Sequence, residues 1–95
     1  MRAVLLLHER HQVSLDSFAE LRIWRVPSQV RGSRHDYKYS LAYVVAGECV
    51  LRYDNEAGKG DHRHYGSNED AYSFQGPAQL LSDFWSDVDR WRVRR

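Results

Sequence analysis

Two histidines separated by a single residue occur in a short glycine-rich stretch in the second half of the chain. The stretch covers residues 58–65 and reads GKGDHRHY. If the backbone is extended there, the imidazoles of His62 and His64 point to the same side. Asp61 and Arg63 then point to the other side. Acid–base groups, cations and a carboxylate are therefore concentrated in a few positions, as expected for a site that acts on a phosphate ester.

Cleavage of RNA without a metal is the first chemistry that this pattern fits. One histidine takes the proton of the 2′-hydroxyl and the other protonates the leaving oxygen, and an unperturbed imidazole pKa of about 6.5 suits both steps. Lys59 or Arg63 would stabilise the charge that develops on the phosphoryl group. Asp61 or Glu56 would orient an imidazole and fix its tautomer. We therefore expect the catalytic residues to be Lys59, Asp61, His62, Arg63 and His64.

Metal binding is the second chemistry that the histidine pair allows. His62 and His64 would bind zinc, manganese or iron together with a carboxylate. The carboxylates within reach along the chain are Asp54, Glu56 and Asp61. However, Lys59 and Arg63 would oppose the binding of a dication, and the spacing fixes no third ligand. We therefore expect no metal or other cofactor, and a metal-dependent phosphoryl-transfer enzyme stays as an alternative.

The glycines of the stretch favour a close approach of backbone and ligand. Gly58 and Gly60 flank Lys59 and are free to adopt positive φ angles. Two consecutive N–H groups in such a turn can form a small anion-binding concavity, and phosphate is the expected anion. The competing interpretation is a hydrophilic surface loop without a site, which is the usual role of loops rich in Gly, Asp and Asn.

Length and composition set the frame for any site. The chain has 95 residues, of which 42% are hydrophobic, and this predicts one globular domain covering residues 1–95. Its formal net charge is only +1. Proteins that coat nucleic acid carry a strongly basic surface, so any contact with RNA is expected to be local.

Cysteine content and apolar runs indicate the compartment. The single cysteine, Cys49, excludes an intramolecular disulfide and lies in an apolar stretch, so we expect it in the core. The apolar run at residues 3–7 is too short for the core of a secretory signal, and no run approaches the roughly 18 apolar residues that span a membrane. We therefore expect a cytoplasmic protein that does not bind membranes.

Hydrophobic periodicity predicts four strands and one helix. Apolar runs and alternation mark strands at residues 3–13, 18–26, 37–46 and 48–53, and Gly47 indicates a tight hairpin between the last two. In the fourth strand, Cys49, Leu51 and Tyr53 are expected on one face. A helical period at residues 77–91 predicts an amphipathic helix with Asp83 and Asp87 on its solvent side. The expected fold is α+β, an antiparallel four-stranded sheet packed against a C-terminal helix.

Two long segments of the chain resemble a known family. They read YKYSLAYVVAGECVLRYDNEAGKGDHRHYG and YSFQGPAQLLSDFWSDVDRW, and they are similar to the TumE family of bacterial toxin–antitoxin proteins. The resemblance covers nearly the whole chain. Its most specific part is a motif formed by Tyr53, Asp54, Asn55, Lys59, Gly60, Asp61, His62, Arg63 and His64.

The resemblance implies a toxin that is encoded beside a helix-turn-helix antitoxin and neutralised by it. Because Tyr53, Asp54 and Asn55 belong to the motif, we expect them to join Gly58 and Gly60 as binding residues. The resemblance supplies no mechanism. RNA as the target follows by analogy with other small toxins, many of which cleave RNA. A non-catalytic module that binds nucleic acid or protein, and a homodimer, both remain open.

Overall fold

The structure, a computed structural model, describes residues 2–93. It contains one antiparallel sheet followed by one helix. The elements are β1 (Val4–Ser14), β2 (Ser17–Arg25), β3 (Tyr37–Val45), β4 (Glu48–Glu56), β5 (Gly60–Tyr65), β6 (Asn68–Ala71) and α1 (Pro77–Val93). This confirms the α+β class with a C-terminal helix. None of the helices in residues 2–93 has the length and apolar character needed to cross a bilayer.

The sheet has six strands, so the expectation of four was wrong. Each strand pairs with the next in chain order, from β1 at one edge to β6 at the other. The stretch at residues 58–65, expected to be a loop, forms the turn into β5 and β5 itself. Strand β5 carries polar residues on both faces, and β6 reads NEDA with all four residues exposed. Neither strand shows the apolar alternation from which strands are predicted.

The turn between β3 and β4 forms as the sequence predicts. Ala46 and Gly47 both have positive φ angles, 50° and 81°, as in the two-residue turns that match the twist of an antiparallel pair. A bulge follows it, because Tyr43 pairs with Leu51 whereas Val44 pairs with Cys49. The extra residue between them shifts the alternation, so Cys49 is exposed and its expected place in the core was wrong.

Helix α1 packs its apolar side against one face of the sheet. Leu80, Phe84 and Val88 are buried there at helical spacing, opposite the buried side chains of β2, β3 and β4. Asp87 lies in the same stripe and is only 2% exposed, so its expected solvent-facing position was wrong. Burial of its carboxylate is tolerated because the carboxylate accepts a hydrogen bond from the hydroxyl of Tyr53 in the sheet.

The second face of the sheet carries mostly exposed and half-buried side chains, and we call it the open face. Phe18 and Trp24 of β2 lie on it and are half-buried, while Ala19, Leu21 and Ile23 of that strand face α1. The guanidinium of Arg10 covers the ring of Phe18 at 3.8 Å from its centroid. The strand pairing therefore separates a packed face from one whose side chains can meet a ligand.

Candidate active site

The register of β4, β5 and β6 brings the two histidines to the open face. Asp54 pairs with His62, and Arg52 pairs with His64, which in turn pairs with Glu69 of β6. The rings of His62 and His64 are neighbours, with centroids 5.2 Å apart and planes at 74°. The expected common direction of the two imidazoles is therefore present, although on a strand and not in a loop.

His62 is held by contacts on both ring nitrogens. Its Nδ1 donates to the carbonyl of Gly60 at 3.0 Å, and because a carbonyl can only accept, Nδ1 carries a hydrogen. Its Nε2 lies 2.5 Å from Asp54 Oδ1 and 3.8 Å from Glu69 Oε2. The approach to Asp54 lacks the alignment of a hydrogen bond, so Asp54 Oδ1 is a buried acceptor without an aligned donor from the chain. The second oxygen of Asp54 lies 3.2 Å from Nε of Arg52.

Glu69 joins the site from β6. Its Oε2 lies 3.3 Å from His64 Nε2 and 3.3 Å from Lys59 Nζ. The hydrogen bond from Lys59 holds the pKa of the Glu69 carboxyl below its ordinary value. Nothing in the spacing of the sequence indicates this residue, because β6 lacks an apolar pattern and only the strand pairing places Glu69 beside the histidines.

These side chains border a groove on the open face. Its volume is about 330 Å³, and it is lined by Cys49, Leu51, Arg52, Asp54, Glu56, Lys59, His62, His64 and Gly66. The groove brings together two imidazoles, two cations, the buried carboxylate of Asp54 and the exposed carboxylate of Glu56 within a small volume. Such a set can move protons and stabilise negative charge on a bound anion.

Arg63 is not part of this groove. Its side chain lies on the helix-facing side of the sheet, where Nη1 is 3.5 Å from Oδ2 of the buried Asp87. The same Oδ2 accepts a hydrogen bond from the hydroxyl of Tyr53 at 2.6 Å. Burial, and then the hydrogen bond to Asp87, raise the pKa of Tyr53 above its ordinary value. Arg52, which the sequence did not indicate, replaces Arg63 as the arginine near the histidines.

Asp61 also lies on the helix-facing side, away from His62. Its Oδ1 is 2.9 Å from His35 Nε2 and accepts a hydrogen bond from the Tyr39 hydroxyl at 2.7 Å. Because Nδ1 of His35 accepts the N–H of Tyr37, the hydrogen of a neutral His35 is on Nε2 and points at Asp61. Asp61 therefore orients His35, which joins the loop after β2 to β5.

The other expected binding residues are used inside the protein. Asn55 is fully buried, donates to the carbonyl of Tyr37 at 2.7 Å and accepts the N–H of Tyr39 at 2.9 Å. The N–H of Gly58 donates to the carbonyl of Arg31 and that of Lys59 donates to the carbonyl of Glu56, so these two consecutive groups are not available for the expected anion concavity. Of the five expected binding residues, Asp54 has a side chain in the groove, and Gly60 contributes its carbonyl to His62.

A comparison with known protein families establishes the family to which the chain belongs. The family model described as "Toxin TumE" matches residues 2–92. The chain belongs to the TumE toxin family. Membership of a family of toxins implies an antitoxin partner. No curated protein and no solved structure matches the chain significantly.

The geometry divides the TumE motif of this chain into two sets of residues. Asp54, His62 and His64 project into the groove on the open face. The helix-facing set makes buried contacts and consists of Tyr53, Asn55, Asp61 and Arg63. Alternation along paired strands thus divides the TumE motif into a set that lines the groove, in which Asp54 and His62 are buried and His64 is half-buried, and a set that fixes the strands from the other face.

Proposed function

We propose that the chain is the toxin of a bacterial toxin–antitoxin pair and acts in the cytoplasm by metal-independent cleavage of RNA. A helix-turn-helix antitoxin encoded beside it would bind and neutralise it. Membership of the TumE family supports the toxin role. The observation that carries the chemistry is the pair of neighbouring imidazoles, His62 and His64, in a groove with Arg52 and Lys59.

The proposed reaction uses the two histidines in different roles. His64, whose side chain is 35% exposed, takes the proton of the ribose 2′-hydroxyl as that oxygen attacks phosphorus. His62, when doubly protonated, donates its Nε2 proton to the 5′-oxygen as the P–O bond to that oxygen breaks. The products are a 2′,3′-cyclic phosphate and a 5′-hydroxyl. Asp54 faces the Nε2 of His62 and is placed to stabilise its cationic form.

Two cations near the histidines would stabilise the phosphoryl group. The Arg52 side chain is half exposed, and Lys59 is 54% exposed at the turn before β5. Both line the groove, so either can reach a phosphate without leaving its strand or turn. Preorganised positive charge of this kind is often the largest electrostatic contribution to catalysis.

Asp61 and Arg63 would act as positioning residues from the far side of β5. Their contacts to His35 and Asp87 fix the strand that carries both histidines. We therefore expect Asp61→Asn to reduce stability while the cleavage rate of the folded protein changes by less than about threefold. Asp54→Asn should reduce that rate by at least about tenfold, because Asp54 contacts His62 directly. Equal effects of the two substitutions on the rate would contradict this division of roles.

The test of the proposal is RNA cleavage by purified protein in the presence of a chelator. His62→Ala and His64→Ala should each reduce the cleavage rate by about 100-fold or more, since positioned acid–base groups contribute about 10²–10⁴-fold. His8→Ala is the matched control, because His8 is an exposed histidine of the open face beside Glu20. Circular dichroism and thermal unfolding establish that each variant is folded.

The products and the nucleotide requirement make the test specific. A 2′-deoxy substitution at the scissile nucleotide should abolish cleavage, because it removes the attacking oxygen. Cleavage that survives both histidine substitutions would exclude this groove as the catalytic site. RNA binding without any cleavage product would instead favour a non-catalytic binding module. A short helix-turn-helix reading frame next to the gene, whose product relieves growth arrest, tests the partner separately.

A further inference from the structure

Three potential metal ligands meet on the open face in an arrangement that the sequence could not define. His62, His64 and Glu69 present nitrogen and oxygen atoms that all lie within 4.8 Å of one another. The carboxylate of Asp54 lies directly beside them, with its side chain 10% exposed and one oxygen lacking an aligned donor. We propose that His62, His64 and Glu69 bind one divalent transition-metal ion such as Zn²⁺, and that the ion inhibits the RNA-cleaving groove.

The distances suit a tetrahedral ion. Zinc bonds to nitrogen and oxygen of about 2.0–2.1 Å place two ligand atoms of a tetrahedron about 3.3–3.4 Å apart. His64 Nε2 lies 3.3 Å from Glu69 Oε2, and His62 Nε2 lies 3.8 Å from the same oxygen. All three ligand atoms lie within 4.8 Å of one another, so side-chain rotations must bring them together, and Asp54 Oδ1, 2.5 Å from His62 Nε2, must turn aside or join the ion. A water molecule can complete the coordination.

His62 is already held in the orientation of a metal ligand. Histidines that bind metals usually donate their second ring N–H to a carbonyl or carboxylate, which fixes the tautomer and the ring plane. Nδ1 of His62 makes such a bond to the carbonyl of Gly60 at 3.0 Å. The lone pair of the neutral ring is therefore on Nε2, which faces the cluster. The nearby Asp54 carboxylate adds negative charge that offsets the charge of a dication.

The two cations that were expected to oppose a metal differ in their position relative to the cluster. Arg63 lies on the other side of the sheet and pairs with Asp87, so its charge is directed away from the cluster. Two cations stay near the cluster: Arg52 is held by Asp54, whose Oδ2 lies 3.2 Å from its Nε, and Lys59 has its ammonium 3.3 Å from Glu69 Oε2. Because its side chain is 54% exposed at a turn, it can move into solvent when a metal ion takes its place. Lys59 and the metal ion should therefore compete for Glu69.

Metal binding and acid–base catalysis exclude one another at this site. A bound ion occupies the lone pairs of both imidazoles, so neither histidine can take or give a proton. Inhibition thus rests on the proposed cleavage of RNA, whereas metal binding does not depend on it. An antagonistic metal would hold the toxin inactive where zinc is available and release its activity when the ion is removed.

The binding test uses metal-free protein titrated with Co²⁺, whose visible absorption reports tetrahedral coordination without any assay of activity. Competition with Zn²⁺ then gives the zinc affinity. Glu69→Gln and His64→Ala should each weaken binding by at least about tenfold, the smaller effect seen when a metal site loses a supporting group. His8→Ala removes a histidine beside a different glutamate of the open face and should leave the affinity unchanged.

Lys59→Ala should change the metal affinity in the opposite direction. This variant therefore distinguishes competition at a defined site from a general effect of removing a charged side chain. Removal of the competing ammonium should strengthen binding by about threefold, since an exposed ion pair is screened by solvent. Absence of the tetrahedral Co²⁺ signal would overturn the proposal, as would an unchanged affinity of Glu69→Gln. Because all of these variants change exposed or half-exposed side chains, they should remain folded, and thermal unfolding without metal checks this.

The inhibition test links the two proposals quantitatively. Zinc should inhibit RNA cleavage with a half-maximal concentration equal to the dissociation constant from the cobalt competition. An increase in cleavage rate on addition of zinc would overturn the inhibition and favour a metal-dependent reaction. If the protein binds metal but cleaves no RNA, the proposed metal site is supported and only the proposed catalytic function is contradicted.

Discussion

Gly60 and Gly32 pack backbone against backbone where the loop after β2 meets the turn before β5. A Cβ added to Gly60 would lie 2.7 Å from the carbonyl oxygen of Gly32, and Gly60 has a φ of +76°. A side chain at this position is therefore excluded both by space and by conformation. The same contact fixes the position of the Gly60 carbonyl, which accepts the hydrogen bond from Nδ1 of His62.

Substitution of Gly60 by alanine should be far more damaging than the same change at Gly47. Gly47 also has a positive φ, +81°, but nothing lies within 4 Å of an added Cβ, so only the backbone strain of about 1–2 kcal/mol applies. Gly60→Ala adds a clash with backbone atoms, and we expect a loss of about 3 kcal/mol or more, or failure to fold. Denaturant unfolding of both variants measures the difference, and equal losses would contradict the packing argument.

Tyr53→Phe should destabilise the protein more than Tyr43→Phe. Both tyrosines are 1% exposed, but the Tyr53 hydroxyl donates to the charged Asp87 at 2.6 Å, while that of Tyr43 donates to the neutral Ser17 at 3.2 Å. Loss of a hydrogen bond to a charged group costs about 1.5–3 kcal/mol, and loss of a neutral one about 0.5–1.5 kcal/mol. Chemical denaturation tests the order. Arg63 and Arg90 each place a guanidinium nitrogen 3.5 Å from the Asp87 carboxylate, and a smaller loss for Tyr53→Phe would show that these cations satisfy it without the tyrosine.

Periodicity was sufficient to predict the parts of the fold that bury apolar side chains. Strands β2 to β4 and helix α1 each bury an apolar face, so alternation of period two and helical spacing marks them in the sequence. Strand β1 was predicted from an apolar run, although Val4, Leu5 and Leu6 are exposed. Strand β5 is held by pairing with β4 and by polar contacts of Arg63 to α1 and of Asp61 to the loop after β2, and β6 is held by pairing with β5. A strand stabilised in that way leaves no hydrophobic pattern, and so it was missed.

The sequence was sufficient to predict the two histidines of the candidate site. It was not sufficient to predict the residues that contact them. The i, i+2 spacing of His62 and His64 fixes a common direction on any extended backbone. Which residues meet them depends on the register of three strands, which brings Arg52 and Glu69 beside His64. Register is a property of pairing between distant segments, and one sequence does not specify it when the strand faces are polar.

Ala46→Asn should stabilise the protein. Ala46 is exposed and has a φ of +50°, a conformation that costs alanine free energy and that asparagine tolerates, and it precedes Gly47 in a turn that favours Asn-Gly. We expect a gain of about 0.5–1 kcal/mol in the free energy of unfolding. Ala57→Asn is the control, because Ala57 is exposed in the next turn and lies outside the left-handed region. A gain of the same size at Ala57 would show that the cause is not the conformation of Ala46.

The thiol of Cys49 should react slowly at neutral pH although it lies at the border of the groove. Although Cys49 as a residue is exposed, its thiol is partly shielded from solvent, which raises the pKa of Cys49, and the charge of Arg52 opposes this increase only in part. Because the thiolate is the reactive form, the rate of alkylation by iodoacetamide should reach its midpoint at a pH above the value of about 8.5 for free cysteine. Arg52→Ala removes the opposing charge and should move the midpoint further upward.

Mass spectrometry across a pH series measures both curves, with protein unfolded in denaturant as the reference. A midpoint at or below that of the unfolded protein would contradict the partial burial of the thiol, and protection by a bound oligonucleotide would place that ligand in the groove.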